Sequence, residues 1–233
     1  MSFLRRLRQK YYNNYFYLRM WLHNLLGLPA QTNKERQLLK AIFNQFKSKK
    51  IRVFEWGCGL STLYYSKYLK ASGVDFEWHA IDNNKVWYEK VVSKIKGSNY
   101  QDNVRIYLKE FVPFWNKPGW GVIPPLCGAF SPKEEGELAY VNFPRTFNDK
   151  FDIVVIDARF RRHCFEVARQ VVASSGIVVL HDAQKPHYQV GLEKFPYQRF
   201  INSGAWAPFQ ELPNKVWVGV IDNKRLFDSL SYF

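Results

Sequence analysis

The chain has 233 residues, 47% of them apolar and 18% aromatic, and carries a formal net charge of +14 at neutral pH. That length and apolar share exclude a disordered polymer and suit one α/β domain with additions and a real core. The charge points to anionic or carbohydrate-like partners, although it informs on association and not on fold. Cys58, Cys127 and Cys164 lack metal-ligand spacing and are odd in number, which argues against a disulfide framework and for a reducing compartment.

The N-terminus stands apart. Residues 1–34 hold no Asp or Glu but include Arg5, Arg6, Arg8, Lys10 and Arg19. Their most apolar part, 15–28, is interrupted by Arg19, His23 and Asn24, too short and too polar to span a bilayer. No small-residue cleavage site follows a clean apolar run, so a signal peptide is not predicted. Residues 1–31 are expected as a basic, aromatic helical segment, open to two readings. Residues 1–28 lie on an anionic membrane face with Trp21, Leu22, Leu25 and Leu26 dipped in, or they pack on the domain with the basic face solvated.

Thr32-Asn33-Lys34-Glu35 has capping-box spacing, and Leu38, Leu39, Ile42, Phe43 and Phe46 follow at helical period, ending in the charged run 47–50. Residues 51–55 read as the first strand, which runs through the Glu55-x-Gly57-x-Gly59 turn into a helix over 61–69 that Ser61 or Thr62 can cap. In such a turn the glycines let the backbone approach a ligand and the loop amides point at it. A second strand over 76–82 ends in Asp82-Asn83-Asn84, helical spacing returns over 86–95, and 104–109 is a third strand.

From 111 to 150 the alternation stops. Six prolines punctuate a stretch whose Phe114, Trp115, Trp120, Phe130, Tyr140 and Phe143 either line a substrate cleft or cover a sheet edge. Residues 151–157 are an unbroken apolar strand, as expected when both faces are covered. A helix over 161–173, a strand over 176–180 ending in His181-Asp182, and a short helix near 188–195 follow. Residues 209–212 and 215–221, joined at Pro213-Asn214, read as an antiparallel hairpin. The fold class is therefore α/β: a doubly wound, seven-stranded, mostly parallel sheet in three αβα layers, with an antiparallel C-terminal hairpin strand.

Ligands of such sheets bind beyond the carboxyl ends of the strands. Polar residues collect there: Glu55, Asp82, Asp157 and His181-Asp182. Asp82 follows Glu55 at roughly the spacing at which an acid accepts from ribose hydroxyls in a βαβ unit, a task that suits a carboxylate, or else it caps the next helix.

Glu55-Trp56-Gly57-Cys58-Gly59-Leu60-Ser61-Thr62, Asp82, the Asp157 strand and the 176–182 strand together resemble a class I S-adenosylmethionine-dependent methyltransferase of the O-methyltransferase-like subgroup. The resemblance covers about 32–221 and implies a methyltransferase-like domain over 32–233, with the insertion at about 111–150. It implies a cofactor site for S-adenosyl-L-methionine built from Glu55, Gly57, Gly59, Ser61, Thr62, Asp82 and Asp157. Ser61 stands where the usual Gly-x-Gly-x-Gly has its third glycine. This departure marks a subgroup and argues against a nicotinamide dinucleotide, whose fingerprint needs a glycine at the helix start.

Metal-dependent O-methyltransferases of the catechol type hold Mg²⁺ at positions similar to Asp157 and Asp182, so the resemblance extends to Mg²⁺ or another divalent metal there. A hydroxyl must be activated by a metal or a base before it takes a methyl group. Asp157, His181 and Asp182 are the catalytic candidates, with His181 as base or further ligand. Arg159, Arg161 and His163 open a helix where the dipole disfavours cations. The arginines either grip an anionic substrate or pair with Asp157, Asp182 or Glu166. Tyr140 joins them as a substrate candidate. The expected activity is O-methylation of a sugar or glycan hydroxyl in the cytoplasm, with membrane association through the basic tail. A nucleic-acid methyltransferase and a non-catalytic binding module are the alternatives.

Overall fold

A computed structural model of the chain describes residues 3–111, 131–205 and 213–233. Helix α1 (Phe3–Leu26) ends where Gly27 takes a left-handed φ of 64°, and α2 (Asn33–Gln45) follows. The capping box at its start is formed as the sequence predicts: Glu35 N donates to Thr32 Oγ1 at 3.2 Å and Thr32 N donates to Glu35 Oε2 at 2.6 Å. Then come β1 (Ile51–Trp56), α3 (Leu60–Ala71), β2 (Phe76–Asp82), α4 (Lys85–Ile95) and β3 (Val104–Leu108). The second half contributes α5 (Glu135–Asn142), β4 (Phe151–Ile156), α6 (Arg161–Val171), β5 (Val172–Leu180), β6 (Tyr197–Gly204), β7 (Asn214–Val220) and α7 (Lys224–Ser229).

The strands form one sheet in the order β3-β2-β1-β4-β5-β7-β6. Neighbours from β3 to β5 pair in parallel, and β7 runs antiparallel to both β5 and β6. Side chains alternate across it, so Val53, Ile153, Ile177 and Val218 face a core shared with α2, α3, α4 and α7. Phe54, Val154, Val178 and Trp217 face a second core under α5 and α6. These are the three expected layers. The chain turns back between β1 and β4, opening a crevice at their carboxyl ends.

Three elements differ from the sequence reading. The antiparallel edge partner of β7 is β6, a strand the sequence does not suggest; 209–212, expected to pair with it as a hairpin, lies outside the described residues. Only Ile201 and Ser203 of this edge strand are buried, so its sequence alternates weakly. The 111–150 stretch contains α5, whose Glu137 carboxylate accepts from the amides of Lys133 and Glu134 and so caps its first turn. Phe114, Trp115, Trp120, Phe130 and Cys127 lie outside the described residues. Between β5 and β6 two 3₁₀ turns, Pro186–Tyr188 and Leu192–Lys194, replace one helix, because Gly191 breaks it with a φ of 88°.

Candidate functional site

A cavity of about 440 Å³ lies at the crevice. Gly57, Gly59 and Ser61 form one wall, Asp82, Asn84 and Trp87 the next, and Asp157, Arg159 and Tyr140 the third; Met20 and Asn24 of α1 with Gln31 close the remaining side.

The turn after β1 is shaped by what it must avoid. A Cβ on Gly57 would fall 2.2 Å from the Asp157 carbonyl oxygen, and φ there is 91°, so glycine alone fits. The Gly57 amide donates to Ile81 O at 2.9 Å and the Gly59 amide to Thr62 Oγ1 at 3.0 Å. These two amides are taken up in holding the turn together. Gly57 serves by leaving space, whereas a Cβ on Gly59 would meet only the Trp87 ring at ordinary contact distance.

Glu55 is likewise set back. It is fully buried and does not line the cavity. Its Oε1 accepts from Ser61 Oγ at 2.5 Å, and its Oε2 accepts from Thr62 Oγ1 at 2.5 Å and Trp78 Nε1 at 3.0 Å. Burial raises its pKa to about 7, against the pull of the two hydroxyl bonds. Glu55 and the equally buried Thr62 brace the turn from behind, while Ser61 reaches both the brace and the cavity.

Asp82, at the end of β2, faces the cavity from a buried position, and its Oδ1 accepts from Asn84 N at 2.8 Å. Burial pushes its pKa up, although the amides of Asn84 and Asn83 and the charge of Arg159 oppose this. Asn84 itself caps α4. Trp87 was not anticipated. It donates from Nε1 to Cys58 O at 2.6 Å and lays its ring 3.5 Å from where a Gly59 side chain would stand. Its place in the first turn after Asp82-Asn83-Asn84 was the available signal.

Asp157, His181, Arg161 and Asp182 form one ionic cluster. Arg161 donates from Nη2 to Asp157 Oδ1 at 2.7 Å and to His181 O from Nη1 at 2.6 Å, and its Nη1 lies 3.4 Å from Asp182 Oδ2. His181 sets Nδ1 3.2 Å from Asp157 Oδ1 and Nε2 3.5 Å from Oε1 of Glu35, an acid the sequence reading treated only as a cap. Burial alone would lower the His181 pKa, but Asp157 and Asp182 raise it well above 6.5. Burial likewise opposes ionisation of Asp157, but His181 and Arg161 hold its pKa at about 2; Asp182 is lowered by the same two cations. Carboxylates stand near both of its nitrogens, which suits His181 to positioning Asp157. Arg161 is spent on Asp157 and Asp182, the paired alternative of the sequence reading. His163 lies on α6 away from the cavity, its pKa lowered by burial. Arg159, Arg161 and Tyr140 do line the cavity.

No family model and no curated protein matches the chain. Solved structures do. An O-methyltransferase from Bacillus cereus in complex with SAH matches over 89% of this chain and 90% of its own, with a TM-score of 0.57 at 11% identity. The O-methyltransferase TomG from Streptomyces achromogenes, in complex with SAM, matches over 89% of each chain with a TM-score of 0.54 at 13% identity. The SAH-bound methyltransferase PaMTH1 from Podospora anserina covers 80% of this chain and 78% of its own, with a TM-score of 0.50 at 14% identity. The fold is that of the class I methyltransferases.

Within this methyltransferase fold the catechol-type metal expectation does not suit the residues present. The Arg161 guanidinium spans the Asp157 and Asp182 carboxylates, where a divalent ion would need their oxygens. Among the described residues no group of three or more His, Cys, Asp and Glu side chains is disposed to hold a metal ion. The donor set offers an internal cation instead.

Proposed function

We propose that the chain is an S-adenosylmethionine-dependent O-methyltransferase acting on a hydroxyl of a sugar or glycan-type molecule. The observation that carries the cofactor reading is Asp82, a buried carboxyl at the end of β2 facing the cavity of a methyltransferase fold. It would accept from the ribose hydroxyls of the cofactor, Gly57 and Gly59 would border its amino-acid part, and Trp87 would offer an aromatic face. When bound, S-adenosylmethionine supplies a methyl group on a cationic sulfur, which passes to the acceptor oxygen as the carbon–sulfur bond breaks and its electron pair stays on sulfur.

Asp157 is the residue that would receive the hydroxyl proton, since it lines the cavity with a side chain 30% exposed. A carboxylate held at about 2 is a weak base, so it accepts the proton only as bond formation makes the oxygen acidic. Arg161 and His181 position that carboxylate, and Asp182 completes their charge balance. A polar acceptor is supported by Arg159 and Tyr140 on the cavity wall.

Calorimetry with S-adenosylmethionine and its demethylated product tests the cofactor: wild type binds, Asp82→Ala does not, and absence of wild-type binding at millimolar ligand would overturn the reading. A methyl-transfer screen with and without EDTA over nucleotide sugars, oligosaccharides and RNA tests the acceptor. Transfer to sugars that survives EDTA is expected. Transfer to RNA alone, with a steep salt dependence, would favour the nucleic-acid alternative that the charge of +14 keeps in play.

A further inference from the structure

Helix α1 has two faces with opposite surroundings. The inner face meets the site: Met20 and Asn24 line the cavity, and buried His23 donates from Nδ1 to Pro29 O at 2.7 Å. On the outer face Tyr11, Tyr15, Leu18, Leu22 and Leu25 recur at helical spacing, flanked by Trp21 and Leu26. These are not side chains that graze the surface. Trp21 is 61% exposed, Leu25 67% and Leu26 65%, and none of these side chains joins either core. Single exposed leucines are ordinary, whereas a continuous apolar stripe marks a surface made to be covered.

The charge of the segment decides what covers it. Residues 1–34 carry Arg5, Arg6, Arg8, Lys10, Arg19, Lys34 and no acid. A second copy of α1 would bring the same cations with no carboxylate to meet them, which opposes pairing of two such stripes. An anionic lipid surface answers both features, because it receives leucine and aromatic side chains at the headgroup level and attracts Lys and Arg. No helix among the described residues is long and apolar enough to cross a membrane, so α1 would lie in the plane of the surface.

We propose that α1 docks the protein on an anionic membrane face, with the Tyr11 to Leu26 stripe in the headgroup layer and the cavity directly beneath the helix. The site then opens beside the lipid surface, where an acceptor carried on a lipid would meet it. The docking itself does not rest on methyl transfer. A chain that bound vesicles but no S-adenosylmethionine would keep this inference and lose the proposed activity.

The test is co-sedimentation of the full-length protein with vesicles of phosphatidylcholine alone or containing about 30 mol % phosphatidylserine, a surface negative enough to attract basic segments. Binding to the anionic vesicles, weak binding to the neutral ones and a decline with added salt are expected. Trp21→Glu and Leu25→Glu should each lower partitioning by about tenfold or more, since each puts a charge in the apolar stripe. Both positions are exposed, so circular dichroism and thermal melting should show unchanged folding. Equal binding to neutral and anionic vesicles, or no binding to either, would overturn the proposal. So would binding indifferent to both substitutions, or a concentration-dependent dimer in sedimentation that either substitution dissolves, which would assign the stripe to a second copy.

Discussion

The Glu55 carboxylate receives three donors and meets no ligand-accessible space, so its work is done through Ser61, Thr62 and Trp78. Glu55→Ala would leave those donors without a buried acceptor and should cost about 3 kcal/mol in denaturant unfolding, with a looser turn and weaker S-adenosylmethionine binding. Gly57→Ala meets a harder obstacle, a backbone oxygen at 2.2 Å and a φ of 91°. A loss of about 2–4 kcal/mol is expected in the same measurement, because neither neighbour is the flexible end of a side chain. Asp157→Asn keeps the size of the proposed proton acceptor and removes its charge. Transfer should fall by about 10²-fold or more while the affinity for S-adenosylmethionine, read by calorimetry, changes far less. Asp82 and Gly57 were legible in the sequence because strand-end position and turn geometry are local. Glu35 facing His181 was not, since the two meet only after α2 packs against the end of β5, and one carboxylate serves as both cap and counter-ion.

At the scale of elements, that junction ties α2 to the sheet. Ser203 Oγ also donates to Glu35 Oε1 at 3.0 Å, which adds β6 to the same knot. The strands with continuous apolar runs, β1, β4 and β5, were readable because burial on both faces leaves no polar alternation to misread. The edge strand β6 and the short α5 were not, since one is mostly polar and the other lies among prolines that suggest only loop. The junction also predicts a pH response. A His pKa raised by folding contributes stability that is complete below its ordinary value of 6.5 and fades as pH climbs through the raised value. Asp157 and Asp182, lowered by folding, contribute above their ordinary 3.8 and lose that contribution as pH falls, Asp157 through about 2. Wild type should therefore exceed His181→Gln in melting temperature most between about pH 4 and about pH 6.5, with the gap narrowing on either side. A gap that widened steadily toward alkaline pH would show that His181 is neutral in the folded protein.

For the whole molecule, the relevant division is between what builds the two cores and what closes the cavity. Both cores draw on α2 to α7 and the sheet, and no described residue of α1 belongs to either. Yet Met20 and Asn24 of α1 stand in the wall of the cavity. We propose that α1 is an addition to a domain that folds without it, in keeping with the break in composition between the acid-free residues 1–34 and the rest of the chain. The prediction separates stability from binding. Deleting residues 1–26 should shift the melting temperature by less than about 4 °C, the change expected for up to about 1 kcal/mol in a chain of this size. S-adenosylmethionine affinity should fall by about tenfold, because the cavity loses one side and its contents gain access to water. Thermal melting and calorimetry on the same truncated protein read the two effects independently. A collapse in melting temperature would make α1 part of the folding unit, while unchanged affinity would mean that Met20 and Asn24 merely border the space the cofactor occupies.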